Sequence, residues 1–413
     1  MKPHNLETIR LFNRLYYTRP FFWSRLPIRL TLKGESVHLA KSDKFSDTIA
    51  PLVLSFLCAA RMGLAAFLGI RNPDTTPLGA FMVFVYQWFF GVHLVYFFLN
   101  VMINLGFGDL LIHTAALGLP YVEQLRKAVP AQRKLSRRPG LLDYTIRFLV
   151  WAGITFPPPL CIPVIFLRLD PEAIIMSFIS GKFPEIYSLA VWLSFGWTNA
   201  LNLFLFLVRY FIVLLLTMDL FRCVLLLAII IIGLGIQLFK NLIDFADAYF
   251  DRVLSLGRQS DMQHLKVYSH VAIIYRTYAA IGKFGSFITI TVGGASFVLF
   301  LYIVIRTRSK MPLVFILLSI FGALVTVYVQ MLVCNFGAYI NQKSKNLLQK
   351  YKKGLRSIGD LRKRKEMTRW IRSLQPLAIH VDLGEVTLFI LDKEGKVFVF
   401  RQMLEYATSA ILA

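Results

Sequence analysis

The chain has 413 residues, of which 56% are hydrophobic, and its mean hydropathy is +0.60. Soluble domains are usually about 45–50% apolar, so this composition excludes an ordinary soluble protein and predicts one that lies in a bilayer. The net charge of +23 would indicate nucleic acid as the partner of a soluble protein. Here the basic residues stand between apolar segments, which favours membrane topology and membrane lipids as partners and argues against nucleic acid.

The first twenty residues contain three arginines and a lysine but no continuous apolar run, which predicts no cleavable signal peptide. The N-terminal segment 1–48 is therefore predicted to be cytoplasmic. The four cysteines lie in apolar stretches without CxxC spacing, which predicts small buried residues and neither a disulfide nor a metal site. The sequence contains no Walker A, HExxH or GxSxG motif, and its histidines do not pair at metal-ligand spacing. We therefore predict no enzyme and no cofactor.

Seven segments are long enough to cross a hydrocarbon core, which takes about 20 residues. In chain order they are 50–70, 78–105, 145–168, 211–239, 283–305, 312–338 and 396–413. The apolar stretch 187–239 is too short for three spans with turns, which leaves one span or two. The positive-inside rule favours one, because a single crossing keeps the basic loop 343–372 inside, so 187–208 is assigned to an outer-leaflet or re-entrant element. Asp219 and Arg222, three residues apart on a helix, are expected to meet, and Arg61 is expected to snorkel or to pair inside the bundle.

The direction of the spans follows from the charges of the loops. Residues 343–372 hold twelve Lys or Arg against two acids, and residues 121–140 hold six against one, so both should be cytoplasmic. The acidic segment 169–186 suits the outside, whereas the basic "RTRSK" at 306–310 is an exception. The prediction is an all-α membrane protein with seven transmembrane helices, an N-terminus in the cytoplasm and an extracellular C-terminus.

The domain organisation follows from the same pattern. Residues 49–338 form transmembrane helices one to six, with a cytoplasmic extension at 240–282 where apolar residues recur at helical spacing. Residues 339–395 form a cytoplasmic basic anchor segment that ends in "DKEG", a turn at 392–395. Residues 396–413 form the last transmembrane helix.

Two stretches of the C-terminal third resemble the insect odorant and gustatory receptor superfamily. They are the tyrosine-containing "KVYSHVAIIYRTYAAIGKFGSFI" at 266–288 and the closing segment 372–413. The family's closing segment carries Thr-Tyr, five apolar residues and Gln-Phe. Tyr406 matches its tyrosine, whereas Glu405, Leu412 and Ala413 stand at the threonine, the glutamine and the phenylalanine, so the chain resembles a divergent, gustatory-receptor-like member.

The resemblance implies a multi-pass protein of the plasma membrane with inverted topology. Members of the family are tetrameric cation channels with a shared cytoplasmic anchor domain, one central pore lined by the last helix, and small organic ligands. It thus implies a chemoreceptor-type ligand-gated cation channel subunit that forms a homo- or heterotetramer.

One polar stripe on the last helix is the candidate pore lining. Gln402, Glu405, Ser409 and Leu412 share a helix face by i, i+3, i+7 and i+10 spacing. A carboxylate in a span normally faces water or a partner, and four copies of Glu405 would form a ring that favours cations, with Leu412 as a hydrophobic constriction. In the alternative, Glu405 pairs with Arg401 or packs within the bundle.

The family geometry places the ligand in the outer half of spans two, three, four and six. The candidate contacts are Tyr86, Trp88, Phe89 and His93 of span two, and Pro158 in the "ITFPPPL" of span three, whose prolines should break the helix. Aromatic side chains with a few polar tips suit a small organic ligand. They are also the residues of helix packing and of interfacial belts.

Two other functions remain open. A secondary transporter often has inverted repeats and paired broken helices, whereas this sequence has one Pro-broken span and no visible repeat. A non-conducting, receptor-like membrane scaffold is the other alternative, because the closing segment departs from the family pattern at 405–413.

Overall fold

The computed structural model describes most of the chain. The described residues are 3–16, 27–33, 36–42, 44–71, 77–129, 141–166, 168, 170–193, 197–227, 229, 235, 237–258, 261–306, 308, 313–383 and 386–412. Residues 130–140 of the predicted basic loop and Ala413 of the family motif lie outside them. The chain divides into two compact units: residues 1–109 with 138–233, and residues 110–137 with 234–413.

The first unit contains eight helices and one hairpin among its described residues. In chain order they are α1 (Pro3–Tyr16), β1 (Ile28–Lys33), β2 (Ser36–Lys41), α2 (Phe45–Arg71), α3 (Pro77–Met102), α5 (Leu141–Thr155), α6 (Pro157–Phe166), α7 (Pro171–Lys182), α8 (Pro184–Leu193) and α9 (Thr198–Leu227). A single π-turn, Ile103–Phe107, follows α3 and leads into α4 (Gly108–Ala128). Helix α2 packs along α3 and α7, and α9 packs along α5 and α6.

The second unit contains most of α4 and the C-terminal half of the chain. Its other elements are α10 (Gln237–Ser255), α11 (Gln263–Arg306), α12 (Leu313–Gly354), a 3₁₀ turn (Leu355–Ser357), α13 (Leu361–Ser373), β3 (His380–Leu383), β4 (Val386–Ile390) and α14 (Lys393–Leu412). The two longest helices, α11 and α12, pack side by side, and α14 packs against both of them. Strand β3 packs on α11.

Five helices of the described residues are long and apolar enough to cross a membrane. They lie at Phe45–Arg71, Met82–Ala128, Thr198–Arg222, Gln263–Arg306 and Ile316–Ser357. A sixth candidate is broken: α5 meets the α6–α7 segment at a bend of 47°, where Pro157 follows Phe156. The predicted break at the prolines is therefore confirmed, because a proline inside a helix removes a backbone donor and clashes with the preceding turn.

The mainly helical membrane fold agrees with the sequence prediction, while several boundaries differ. Helix α9 begins at Thr198, so the boundary predicted near residue 211 is wrong. Arg209 lies within this helix and forms an ion pair inside the unit. Helix α12 runs 42 residues and continues well beyond the predicted limit at 338.

The two hairpins were not foreseen. Strands β1 and β2 pair antiparallel from Ile28↔Lys41 to Lys33↔Ser36, and β3 pairs with β4 with a register shift after Val381. Each strand has only four to six residues. Such short alternating runs are weak signals beside the helical periodicity of the rest of the chain.

Candidate functional site

Helix α14 is held to the second unit along one narrow face. Gly395, Val399, Met403 and Ala407 are buried at i, i+4 spacing, which stacks them in one row along a helix. Gly294 of α11 lies opposite Met403, so the two helices approach closely there. The remaining faces of α14 carry no comparable row of buried residues, and most of their side chains are exposed.

The opposite face of α14 is charged and open. A surface groove of about 690 Å³ runs along it and is lined by Lys396, Val397, Phe400, Arg401, Leu404, Glu405, Thr408 and Ser409. Arg401 donates to Glu405 Oε1 at 2.7 Å, and Gln402 donates to Glu405 Oε2 at 2.9 Å. Both carboxylate oxygens of Glu405 therefore have a donor on the same helix.

The four predicted pore-lining residues lie away from the buried row. Gln402 is half-buried, and Glu405, Ser409 and Leu412 are exposed. The hydroxyl of Ser409 donates to the carbonyl of Glu405 at 2.9 Å, one turn earlier. Tyr406, the residue of the family motif, is 63% exposed and contributes little to packing within the chain.

Both ends of α14 are fastened to neighbouring segments. At the start, Asp392 accepts a hydrogen bond from the backbone N–H of Gly395 at 2.9 Å, so part of the predicted turn serves as a helix cap. Lys396 donates to Asn335 of α12 at 2.7 Å. At the far end, Arg306 of α11 donates to the carbonyl of Ile411 at 2.7 Å. A cation is favourable there because the helix C-terminus carries partial negative charge.

A second group of charges joins α10 to the lower part of α12. Asp247 is buried, and its carboxylate forms ion pairs with Lys343 Nζ at 2.7 Å and Lys350 Nζ at 2.6 Å. Burial by itself would raise the pKa of Asp247, but the hydrogen bonds and charges of the two lysines outweigh it and lower the pKa from its ordinary value. Beside this clamp the rings of Phe250 and Tyr351 meet edge-on, 4.5 Å apart, in the body of the second unit.

Three buried ion pairs lie among the described residues of the apolar helices of the first unit. Arg61 of α2 meets Glu172 of α7 at 2.6 Å, and both side chains are largely buried. Arg209 of α9 pairs with Asp170 through two hydrogen bonds, of which the one from Nε measures 2.8 Å. Arg209 also donates to the carbonyl of Ile165 at the end of α6. One side chain thus satisfies both sides of the break between α6 and α7.

The third pair lies further along α9 towards its C-terminal end. Arg222 meets Asp219 three residues earlier on α9, as the spacing predicted, and Tyr96 of α3 donates to the other oxygen of Asp219 at 2.9 Å. Together the pairs join α2, α3, α7 and α9. The expected pairing of Arg61 inside the bundle is also confirmed.

The predicted ligand contacts occupy different surroundings. Tyr86 is 2% exposed and packs in a cluster with Met62, Ala65 and Ala66 of α2. His93 is buried and its Nδ1 lies 2.7 Å from the carbonyl of Phe89 on the same helix. The ring of Phe89 is exposed, while Trp88 and Pro158 are half-buried. Tyr86 and His93, seven residues apart, share the inner face of α3.

Sequence reasoning missed Asp170 and Arg209. Asp170 caps α7, because its side chain accepts from the N–H of Ala173 at 3.2 Å and Pro171 follows it. The signal was present as Asp-Pro-Glu, a typical helix start. The acidic residues of this segment were instead interpreted as an outer loop.

Comparison with known proteins gives a match in structure only. No family model and no curated protein sequence matches the chain. The insect olfactory receptor OR5 from Machilis hrabei, solved in complex with eugenol, matches with a TM-score of 0.51 over 99% of this chain and 97% of that chain. This is the fold of an insect olfactory receptor. The two sequences are 11% identical, so the predicted resemblance to that superfamily is confirmed at the level of the fold.

Proposed function

We propose that this protein is a subunit of a chemoreceptor-type, ligand-gated cation channel. It assembles in the plasma membrane as a homo- or heterotetramer, and the stripe of Gln402, Glu405, Ser409 and Leu412 lines one central pore. The fold of an insect olfactory receptor supports this proposal. The observation that carries it is the charged outer face of α14.

A charged helix face needs water or a polar partner. The side chains of Arg401 and Glu405 are 74% and 48% exposed in the single chain, on the side of α14 turned away from α11 and α12. Charges that face lipid are costly, and intramembrane charges normally face a bundle interior or a water-filled path. If α14 crosses the membrane, its outer face belongs in an aqueous pore surrounded by other copies of the chain.

A small organic ligand is proposed to bind in the first unit, near Tyr86, Trp88, Phe89, His93 and Pro158. The similar receptor was solved with eugenol, a small aromatic molecule, which supports this class of ligand. In the predicted topology the outer ends of α2 and α9 are Arg71 and Thr198. The paired arginines Arg61 and Arg209 each lie about ten residues, or roughly 15 Å, from those ends. They would give such a site a polar layer.

The test is conduction by the purified chain in planar bilayers under a KCl gradient, with eugenol as the first of a panel of small organic ligands. We expect ligand-dependent current whose reversal potential favours potassium. Glu405→Gln should weaken that preference and Glu405→Lys should abolish or reverse it, because a ring of carboxylates concentrates cations. The matched control is Glu366→Gln, which neutralises an exposed acid on α13 and should leave the reversal potential unchanged.

Two results would reject the proposal or its pore assignment. Absence of current with every ligand, together with particles that lack fourfold symmetry in electron micrographs, would favour a non-conducting scaffold or a transporter. Robust currents with an unchanged reversal potential in Glu405→Lys would place Glu405 outside the pore.

A further inference from the structure

Ten basic side chains of the segment 345–372 are exposed. They are Lys345, Lys352, Lys353, Arg356, Arg362, Lys363, Arg364, Lys365, Arg369 and Arg372. In the part of the chain that the structure describes, the two lysines of this region that form ion pairs are Lys343 and Lys350, which hold Asp247. The ten others extend into solvent with only Asp360 and Glu366 as acids among them. So dense a charge repels itself unless an anion binds it.

Helix α13 orders four of these charges into a stripe. Asp360 caps the helix by accepting from the N–H groups of Arg362 and Lys363, and the buried Met367 and Ile371 fix its orientation. The residues opposite that buried pair are Arg362, Lys365, Arg369 and Arg372, at i, i+3, i+7 and i+10 spacing. The stripe is therefore rigid and entirely basic.

Helix α13 runs back along α12. It begins just after the 3₁₀ turn that ends α12, and the segment that follows it reaches Ser344, whose hydroxyl accepts from the N–H of Leu377 at 3.0 Å. Tyr268 of α11 donates to the carbonyl of Gln375 at 2.9 Å. The 13 residues of α13 cover about 20 Å, which is enough to span the part of α12 between its end at Gly354 and Ser344. The C-terminal end of α13 is thus the end nearer to the membrane.

The membrane-proximal end of the stripe lies near the expected headgroup region. The apolar part of α12 is predicted to end near residue 338, so Lys345 follows it by about 10 Å of helix. Headgroup layers add roughly 5–8 Å to each side of the hydrocarbon core. The long side chain of a lysine bridges the remaining few ångströms to the headgroups. Lys353, at the other end, lies about 22 Å beyond residue 338.

We propose that Lys345, Arg369 and Arg372 form a binding site for the multiply phosphorylated headgroup of an anionic inositol phospholipid. Charge complementarity favours this occupant, since clusters of basic residues just inside a span attract the anionic lipids of the cytoplasmic leaflet. The planar guanidinium groups of two arginines suit bidentate contacts with phosphate. The proposal rests on the predicted cytoplasmic location of residues 339–395 and is independent of conduction.

A helical protein partner fits the surface less well. Basic amphipathic helices that enter a partner's groove use their apolar face as the anchor. The apolar face of α13 is already occupied, because Met367 and Ile371 are 1% and 2% exposed. An electrostatic contact with headgroups needs only the basic face, which is free of the body of the unit.

The experiment uses the full chain in detergent micelles with short-chain phosphatidylinositol 4,5-bisphosphate as the probe, and binding is measured by thermophoresis. The acyl chains enter the micelle around the spanning helices, so the headgroup is presented at the membrane-proximal end. We expect the variant K345Q/R369Q/R372Q to bind about a hundredfold more weakly, at about fivefold per basic residue. The matched variant K352Q/K353Q/R356Q, with the same loss of charge at the distal end, should bind within about fivefold of the parent.

The variant R369K/R372K keeps the charge and removes only the bidentate guanidinium groups, so it tests the proposal if the triple variant folds poorly. It should bind the lipid more weakly than the parent and more tightly than K345Q/R369Q/R372Q, and binding equal to the parent's would contradict the assignment of the two arginines. Equal losses in both triple variants would identify a solvated charged surface and overturn the proposal. Inositol hexakisphosphate that binds as well as the lipid would indicate a site for soluble polyphosphate. An altered particle mass with unchanged lipid binding would indicate an interface between copies of the chain.

Discussion

Among the described residues, three buried arginines in the apolar helices of the first unit have a carboxylate partner. Arg61, Arg209 and Arg222 are each mostly buried, and a charge removed from water is stable only when it is paired and hydrogen-bonded. The pair of Arg209 with Asp170 is the most demanding, because the carboxylate is fully buried and caps α7 as well. Its loss should be more harmful than the loss of a pair at the surface.

Asp170→Asn is the variant that isolates this charge. Asn still caps a helix, so only the partner of Arg209 is lost, and breaking a buried pair costs about 3–5 kcal/mol. We expect a clear fall in the thermal midpoint of the purified protein. Glu7→Gln breaks the exposed pair with Arg147 and should cost less than about 1 kcal/mol. Similar midpoints for the two variants would mean that the pair of Asp170 carries no special stability.

The sequence foresaw some of these contacts because they obey a local rule. Asp219 and Arg222 are three residues apart on one helix, a spacing that brings side chains together. Asp170 and Arg209 are 39 residues apart on different helices, and nothing periodic joins them. Such a pair depends on the tertiary fold, which brings the start of α7 to Arg209 of α9 and which a single sequence does not reveal.

Arg401 provides a second prediction at the scale of the residue, and it rests on the proposed pore. Because Arg401 donates to Glu405, the helix presents a mixed pair of charges in place of a bare carboxylate. Removing the positive member by Arg401→Gln should strengthen the preference for potassium over chloride and move the reversal potential opposite to the effect of Glu405→Gln. The measurement is the reversal potential under a KCl gradient. A shift in the same direction for both variants would show that the two side chains do not act as a pair in the pore.

At the scale of the element, the junction between β4 and α14 depends on two glycines. A Cβ at Gly395 would collide with the backbone carbonyl of Ile390, and a Cβ at Gly337 of α12 would lie 2.9 Å from the carbonyl of Leu391. The turn from the hairpin into the last helix therefore packs closely against the backbone of α12, and a side chain at either glycine would force the segments apart. This close packing fixes where α14 begins.

Gly395→Ala should displace the start of α14 and destabilise the second unit, because the obstacle is backbone and cannot move aside as a flexible side chain would. Gly285→Ala on α11 is the control, since its Cβ would meet nothing within 4 Å and the change should stabilise the helix by about 0.5–1 kcal/mol. Thermal midpoints of the two variants should therefore move in opposite directions. A stabilising Gly395→Ala would mean that the junction has room for a methyl group.

The elements that the sequence predicted well are those with long apolar periodicity. Helices α2, α3, α11 and α12 overlap predicted spans, because a run of some twenty apolar residues can cross a bilayer only as a helix or as part of a closed barrel. The sequence did not reveal the hairpin β3–β4, because its short apolar run directly precedes the last helix and was interpreted as part of the segment leading into that helix. Helix α13 was taken as part of a basic loop, although its cap Asp360 and the apolar Met367 and Ile371 were visible signals.

At the scale of the whole molecule, the fold is preserved while the sequence is not. The chain aligns with almost the full length of the similar receptor at 11% identity. Apolar helices in a bilayer accept many exchanges among Leu, Ile, Val and Phe, whereas the few polar positions carry specificity. The predicted topology rests on the charges of the loops, so it does not depend on the match of the closing segment to the family motif. The seven-span count stays a prediction, because α14 carries Lys396, Arg401 and Glu405 and is not among the five apolar helices.

The predicted topology can be tested at three exposed positions with a membrane-impermeant maleimide on intact cells. Lys182→Cys, at the end of α7, and Arg308→Cys, after α11, should be labelled, whereas Lys353→Cys at the end of α12 should react only after permeabilisation. Arg308 is the decisive position, because it belongs to the basic segment 306–310, which the predicted topology places outside against the positive-inside rule. The unchanged chain is the control, and Cys58, Cys161 and Cys334 are buried and should give little background. Protection of Arg308→Cys together with labelling of Lys353→Cys would show that α11 and α12 run in the opposite direction, which would place the anchor segment outside the cell and remove the cytoplasmic leaflet as the partner of α13.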